Sequence, residues 1–137
     1  MILGGRALRY WLVSVIGLGM VSLGGYALAT ELYGAIAYSK STGSHVYALN
    51  YSLQELAENQ AIIACEDAAE SGDCTVLLWF RNACGALARH RRTPVAASNI
   101  GTGWGQSRSE AEAKAQRVCR ENGGEDCDIV RSECTGS

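Results

Sequence analysis

The strongest constraint on the fold of this 137-residue chain is an internal repeat that covers residues 33–134. The first copy, residues 33–84, opens with YGAIA, continues with a Ser-x-x-Glu motif and has cysteines at its end. The second copy, residues 84–134, opens with CGALA and has the same features in the same order. A repeat of this length predicts that one supersecondary unit is used twice.

Each copy predicts the order strand, strand, helix, strand. In the first copy, YGAIAYS and HVYALNY flank a glycine-containing loop, a pattern typical of a β-hairpin. Ser52 with Glu55, and Ser107 with Glu110, predict capping boxes at the starts of two helices. The later segment CTVLLWF has apolar residues on both faces of the predicted strand. This pattern predicts a central strand that is covered on both faces, with Trp79 in the core.

These elements predict an α+β fold for one domain that spans residues 30–137. One unit alone has too little apolar surface to be stable, so the two units are expected to pack together. We expect a pseudo-two-fold relation between them. The sequence is compatible with a mainly antiparallel sheet or with a small closed barrel, in each case with two helices outside.

The first 29 residues have the pattern of a secretory signal peptide. Arg6 and Arg9 precede an uncharged apolar run over residues 10–29, which ends in the small-x-small sequence Ala-Leu-Ala. We expect cleavage after Ala29 and export to the periplasm or the outside of the cell. The alternative is an uncleaved membrane anchor, because the run is nearly long enough to span a bilayer.

All six cysteines lie after residue 60, in the part expected to be exported. An even number in a short exported chain indicates disulfides. No Cys-x-x-Cys occurs and neither histidine lies at ligand spacing from a cysteine, so no metal or cofactor is predicted. Equivalent cysteines of the two copies should pair alike. The predicted pairs are Cys65–Cys74, Cys119–Cys127 and Cys84–Cys134.

Charge and motifs narrow the class of partner. The chain has 12 basic and 14 acidic residues, and only 10 basic residues remain after the expected cleavage. This balance argues against a nucleic-acid binder, which needs a basic surface. Apart from the signal peptide before its cleavage, no segment is expected to contact the membrane. Another protein is therefore the expected partner.

Two features are candidate contacts for a protein partner. The basic cluster of Arg89, Arg91 and Arg92 is predicted to form an exposed hairpin tip. Trp104 lies between glycines in GTGWG, where it either fills a gap left by the glycines or is presented as a binding anchor. The predicted binding residues are Arg89, Arg91, Arg92 and Trp104.

The leading hypothesis is a non-enzymatic secreted or periplasmic binding module that recognises another protein in an inhibitor, immunity, effector or sensor role. The sequence contains no nucleophile elbow and no zinc-protease motif in a strand–helix context. One alternative is a small envelope-acting hydrolase that uses His45 or His90 beside a carboxylate. Another is a structural envelope protein without a specific ligand.

The motifs YGAIAYS, WFRNACGALA and GWGQSRSEAEAKAQRVC, followed by the last two cysteines, resemble a known family. The chain is similar over residues 33–134 to the secreted bacterial family called domain of unknown function 4189, which includes small secreted mycobacterial proteins. The resemblance implies an exported, disulfide-bonded α+β module. It provides no catalytic residues to carry over.

Overall fold

A computed structural model of the protein describes residues 30–91 and 99–137. The predicted signal peptide and Arg92 lie outside these residues. None of the helices described is long and apolar enough to cross a membrane. In chain order the elements are β1 (Tyr33–Ser39), β2 (His45–Tyr51), α1 (Gln54–Ala69), β3 (Cys74–Arg81), β4 (Cys84–His90), β5 (Ile100–Gly105), α2 (Arg108–Glu121) and β6 (Cys127–Cys134).

The strands form two antiparallel three-stranded sheets, ordered β2-β1-β3 and β5-β4-β6. The predicted α+β class, with mainly antiparallel strands and two helices, is confirmed. The strands are divided between two sheets. The prediction that residues 74–80 form a central strand is wrong, because β3 lies at a sheet edge. The central strands are β1 and β4, whose small residues let other layers approach both faces closely. The pseudo-two-fold relation stays a prediction.

Each helix packs on its own sheet through small residues spaced four apart. The helix residues that are fully buried are Ala57, Ala61 and Cys65 in α1, and Ala111, Ala115 and Cys119 in α2. They contact the alanines of β1 and β4, respectively. In the second unit, β5 and α2 approach each other so closely that a Cβ added at Gly101 would lie 2.2 Å from the backbone oxygen of Ala115. The glycines of GTGWG are therefore required by the helix α2.

The opposite faces of the two sheets meet around Phe80, the only phenylalanine of the chain. Its ring is buried and lies against the glycine of each repeat motif. A Cβ would approach the ring to 2.5 Å at Gly34 and to 2.3 Å at Gly85. Ile36 and Leu87 are also fully buried. The recurrence of Gly-Ala in both copies thus has a physical reason, since one aromatic ring needs both glycines.

The structure contains the disulfides that the sequence analysis pairs. One bond ties α1 to β3, a second ties α2 to β6, and the third joins register partners of β4 and β6. All six cysteines are bonded, so no free thiol is present. The second unit therefore has two bonds and the first unit has one.

The two predicted capping boxes have different outcomes. At α2, the Ser107 hydroxyl accepts a hydrogen bond from the backbone N–H of Glu110 at 3.2 Å, as predicted. The Glu110 carboxylate accepts from the N–H of Gln106, one residue before the cap. At α1, the prediction is wrong because the helix begins one residue later and its cap position is occupied by Leu53, which has no side-chain acceptor.

Candidate functional site

A groove of about 580 Å³ lies between the edge strands β3 and β5. These two strands contact each other although they belong to different sheets. The groove thus runs along an edge strand of each sheet. Its lining residues are Leu77, Leu78, Trp79, Phe80, Arg81, Trp104 and Gln106.

The sheets are closed on the other side by a tyrosine. Tyr47 of β2 donates its hydroxyl hydrogen to the backbone carbonyl oxygen of Arg131 in β6, at 2.7 Å. The guanidinium of Arg131 lies 5.0 Å from the centre of the Tyr47 ring, a cation–π arrangement. Desolvation by burial raises the pKa of the Tyr47 phenol above its usual range, so the hydroxyl stays a donor. No such bridge closes the groove among the contacts of the described residues.

Trp79 is the residue that the sequence analysis places wrongly. It was expected in the core, but it is 45% exposed. Its strand lies at the edge, where the helix α1 does not cover the whole ring. The ring centre lies 6.4 Å from that of Tyr33, in a tilted arrangement. In β3, the apolar residues on both faces of the strand therefore belong to the wall of a groove and not to a central strand.

Trp104 is also half exposed, at 48%. The flanking Gly103 and Gly105 face α2, and strand alternation therefore places the indole on the opposite face. The backbone and side chains of α2 occupy the space beside these glycines, so the indole does not lie there, and its role as a binding anchor stays a prediction. The ammonium of Lys114 lies 4.8 Å from the ring centre, so a cation partly covers the indole.

Ion pairs flank the groove at its two walls. Arg81 lies 3.0 Å from Glu31, and Lys114 lies 3.1 Å from Glu110. The N–H of Gln106, and then Lys114, lower the pKa of the Glu110 carboxyl below its usual range. Exposed pairs of this kind contribute little to stability. The groove is therefore apolar inside and has both positively and negatively charged side chains at its rim.

The two described arginines of the basic cluster, Arg89 and Arg91, lie away from Trp104. In the ladder between β4 and β5, Arg89 pairs with Ile100 and Gly85 pairs with Trp104. Four residues of strand separate these positions, roughly 13 Å. Arg91 makes two hydrogen bonds to the carboxylate of Asp128, at 2.5 and 2.7 Å, and this contact lowers the pKa of that carboxyl. The structure therefore separates Arg89 and Arg91 from the predicted tryptophan contact.

The two histidines interact with backbone groups. Nδ1 of His45 lies 3.3 Å from the carbonyl oxygen of Gly43. Nδ1 of His90 accepts from the N–H groups of Glu125 and Asp126, at 3.2 and 3.4 Å. Residues 30–91 and 99–137 contain no group of three His, Cys, Asp or Glu side chains placed to hold a metal ion.

A polar cluster that the sequence pattern does not indicate fixes the first hairpin to the loop between α1 and β3. The carboxylate of Asp73 accepts from the hydroxyls of Ser39 and Ser71, each at 2.5 Å, and from the N–H of Ser41 at 2.9 Å. These hydrogen bonds, that from Ser39 first, lower the pKa of Asp73 below its usual range. Because Ser39 is buried, the cluster satisfies polar groups of the fold.

The geometry defines a class: a small α+β domain with three disulfides and an open groove between two sheets. Residues 33–134 match the family described as Domain of unknown function (DUF4189), and the chain belongs to that family. The NMR structure of Rv1813c from Mycobacterium tuberculosis has a similar fold, with a TM-score of 0.50 and 24% identity over 98% of this chain and 96% of that one. No curated protein sequence is similar to this chain at a significant level.

Proposed function

We propose that the chain is an exported, non-enzymatic module that recognises another protein, and that the groove between β3 and β5 is its principal contact. The observation that carries the proposal is that Trp79 and Trp104 are both half exposed and line the same groove. Tryptophan is enriched at the energetic centres of protein interfaces. A soluble domain gains nothing in stability from leaving two indoles in water.

The rest of the fold supports this proposal. The disulfides are consistent with an exported protein. One of them also holds a groove strand in place, since it fixes the start of β3 to α1. A rigid site loses less conformational entropy when it binds.

The groove can accommodate an extended segment of a partner. An edge strand has unpaired backbone N–H and C=O groups that can pair with another chain. Five consecutive residues of β3 line the groove, from Leu77 to Arg81. The expected ligand is therefore a segment with one large apolar side chain beside Trp104. Arg89, Arg91 and Arg92 remain a separate proposed contact.

The test is affinity capture with the oxidised domain, residues 30–137, followed by affinity measurement with the purified partner. We expect one specific protein to be retained from envelope or culture-supernatant fractions. Trp79→Ala and Trp104→Ala should each weaken binding at least about tenfold, as expected for truncated hot spots. Arg117→Ala, an exposed change on α2, is the control and should leave the affinity unchanged.

The outcome decides between the predicted contacts. If the arginine variants Arg89→Ala, Arg91→Ala and Arg92→Ala abolish binding and both tryptophan variants bind normally, the groove is not the contact. If no protein is retained by the oxidised domain, the proposed function is wrong.

A further inference from the structure

We propose that the outer face of α1 is a second docking surface and that it binds a basic amphipathic helix of another protein. This surface, called the α1 face below, does not involve the groove. It consists of three large apolar residues that are 47–58% exposed. They are Leu53, Leu56 and Ile63.

The chain contains its own comparison for this face. Buried Ala57 in α1 corresponds to buried Ala111 in α2, because each helix buries Ala, Ala and Cys at intervals of four residues. With this alignment, Leu56 corresponds to Glu110 and Ile63 to Arg117. Helix α2 thus has the charged residues expected at solvated positions. Leu56 and Ile63 are therefore not required to bury the alanine face of α1, since α2 buries the same pattern with charged residues at these positions.

The charge of α1 indicates the chemistry of the occupant. Residues 54–69 contain four acidic side chains and no basic one, and the acidic residues are Glu55, Glu58, Glu66 and Asp67. A depression of about 520 Å³ lies beside Leu53 and is lined by Leu53, Tyr33, Gln54, Glu55 and Glu58. Carboxylates at the edge of an apolar stripe complement lysine or arginine side chains that flank an apolar stripe on a partner helix.

The same charges disfavour the other occupants. Two copies that paired through α1 would bring acidic residues of one copy against those of the other. An anionic lipid surface attracts basic helices and would repel this one. A basic amphipathic helix satisfies both the apolar stripe and the carboxylates.

The test uses a synthetic 15-residue helix of leucine and lysine at amphipathic spacing, labelled for fluorescence anisotropy. We expect it to bind the oxidised domain, and the same peptide with glutamate for lysine not to bind. The variant Leu56→Glu/Ile63→Arg transfers the α2 residues to α1 without changing the net charge. It should weaken binding at least about tenfold, because it removes the apolar contacts. Glu55→Gln/Glu58→Gln should weaken binding and reduce its dependence on salt.

Controls separate this surface from the groove and from the other occupants. Trp79→Ala/Trp104→Ala should bind the basic peptide normally, so this inference and the proposed function can fail independently. Unchanged binding by Leu56→Glu/Ile63→Arg at an unchanged circular dichroism spectrum would overturn the proposal. Sedimentation that shows a dimer which this variant dissociates would assign the face to a second copy. Binding to phosphatidylglycerol vesicles that depends on the same residues would assign it to a membrane. Either result would overturn the proposal.

Discussion

Helices α1 and α2 have the same buried pattern of two alanines and a cysteine, and each lies on a sheet whose central strand begins with a Gly-Ala motif. Their outward residues differ. Helix α1 exposes leucine and isoleucine, whereas α2 exposes charged residues at the corresponding positions. The buried features are those that the fold requires twice. The exposed apolar residues present in only one unit are not required for this packing, so they are available for contact with a partner.

The strands next to the helices differ in the same way. In the first unit β3 has bulky residues, Leu77 to Phe80, at a sheet edge. In the second unit the groove strand is β5, the counterpart of β2 in the repeat order, and its alternating glycines let α2 approach the sheet more closely than side chains would allow. The first unit is therefore the one with the larger apolar surface toward solvent. The second is more tightly packed and has the additional disulfide.

Disulfide removal should have the largest effect and should distinguish the units. The bond Cys84–Cys134 closes a loop of 50 residues and Cys65–Cys74 closes one of 9 residues. On the chain-entropy relation, replacing the first pair by alanine should lower the free energy of unfolding by about 4 kcal/mol and replacing the second by about 2.5 kcal/mol. Denaturant unfolding of the two double variants measures the difference. Equal losses would contradict the relation for this fold.

Insertion of one methyl group between β5 and α2 should have the next largest effect. A Cβ at Gly101 would lie 2.2 Å from backbone atoms of Ala115 and Cys119, which cannot move without displacing the helix. We expect Gly101→Ala to cost about 3 kcal/mol, at the upper end of overpacking. Thr102→Ala on the other face of the strand is the control and should cost less than about 1 kcal/mol. Thermal unfolding compares them. Equal values would mean that the close packing of the second unit is not rigid.

Acid should weaken the first unit through its polar cluster. The hydrogen bonds from Ser39, Ser71 and Ser41 keep the folded pKa of Asp73 below its unfolded value. A depressed folded pKa contributes stability that is present above the unfolded pKa, near 4, and is lost as the pH falls through the folded value. Asp73→Asn should therefore flatten the decrease in melting temperature below about pH 4. Asp67→Asn, which removes an exposed carboxylate of α1 outside the cluster, is the matched control and should flatten the profile less than Asp73→Asn does. If Asp73→Asn has the same acid profile as the wild type, then other groups cause the decrease in melting temperature at low pH.

Much of the fold was predictable from local pattern. The Gly-Ala motifs indicated strands, the alanines at helical spacing indicated helices, and the equivalence of the cysteines indicated which would pair. These features depend on residues near one another in the chain or on the comparison of the two copies. That comparison works because both units have the same packing requirements.

The candidate sites were less predictable because they depend on contacts between distant residues. An apolar strand has the same sequence pattern whether it is central or forms the wall of a groove, so Trp79 was assigned to the core. Asp73 receives hydrogen bonds from hydroxyls as far as 34 residues away. Trp104 was a candidate contact because of its glycine neighbours, but its distance from Arg89, at the other end of the ladder between β4 and β5, depends on strand pairing that local sequence does not show.

The smallest effect is a helix cap present in only one unit. Ser107 accepts a hydrogen bond from the N–H of Glu110, whereas α1 begins at Gln54 after Leu53 and makes no side-chain cap. Ser107→Ala should therefore lower the free energy of unfolding by about 1 kcal/mol, and Ser52→Ala should lower it by less than about 0.5 kcal/mol. Denaturant unfolding of both variants measures this difference, and equal losses would place Ser52 at a cap after all. If the difference is found, the equivalent Ser-x-x-Glu motifs of the two copies have diverged in physical role. The sequence correspondence between the units then defines their core and not their surface.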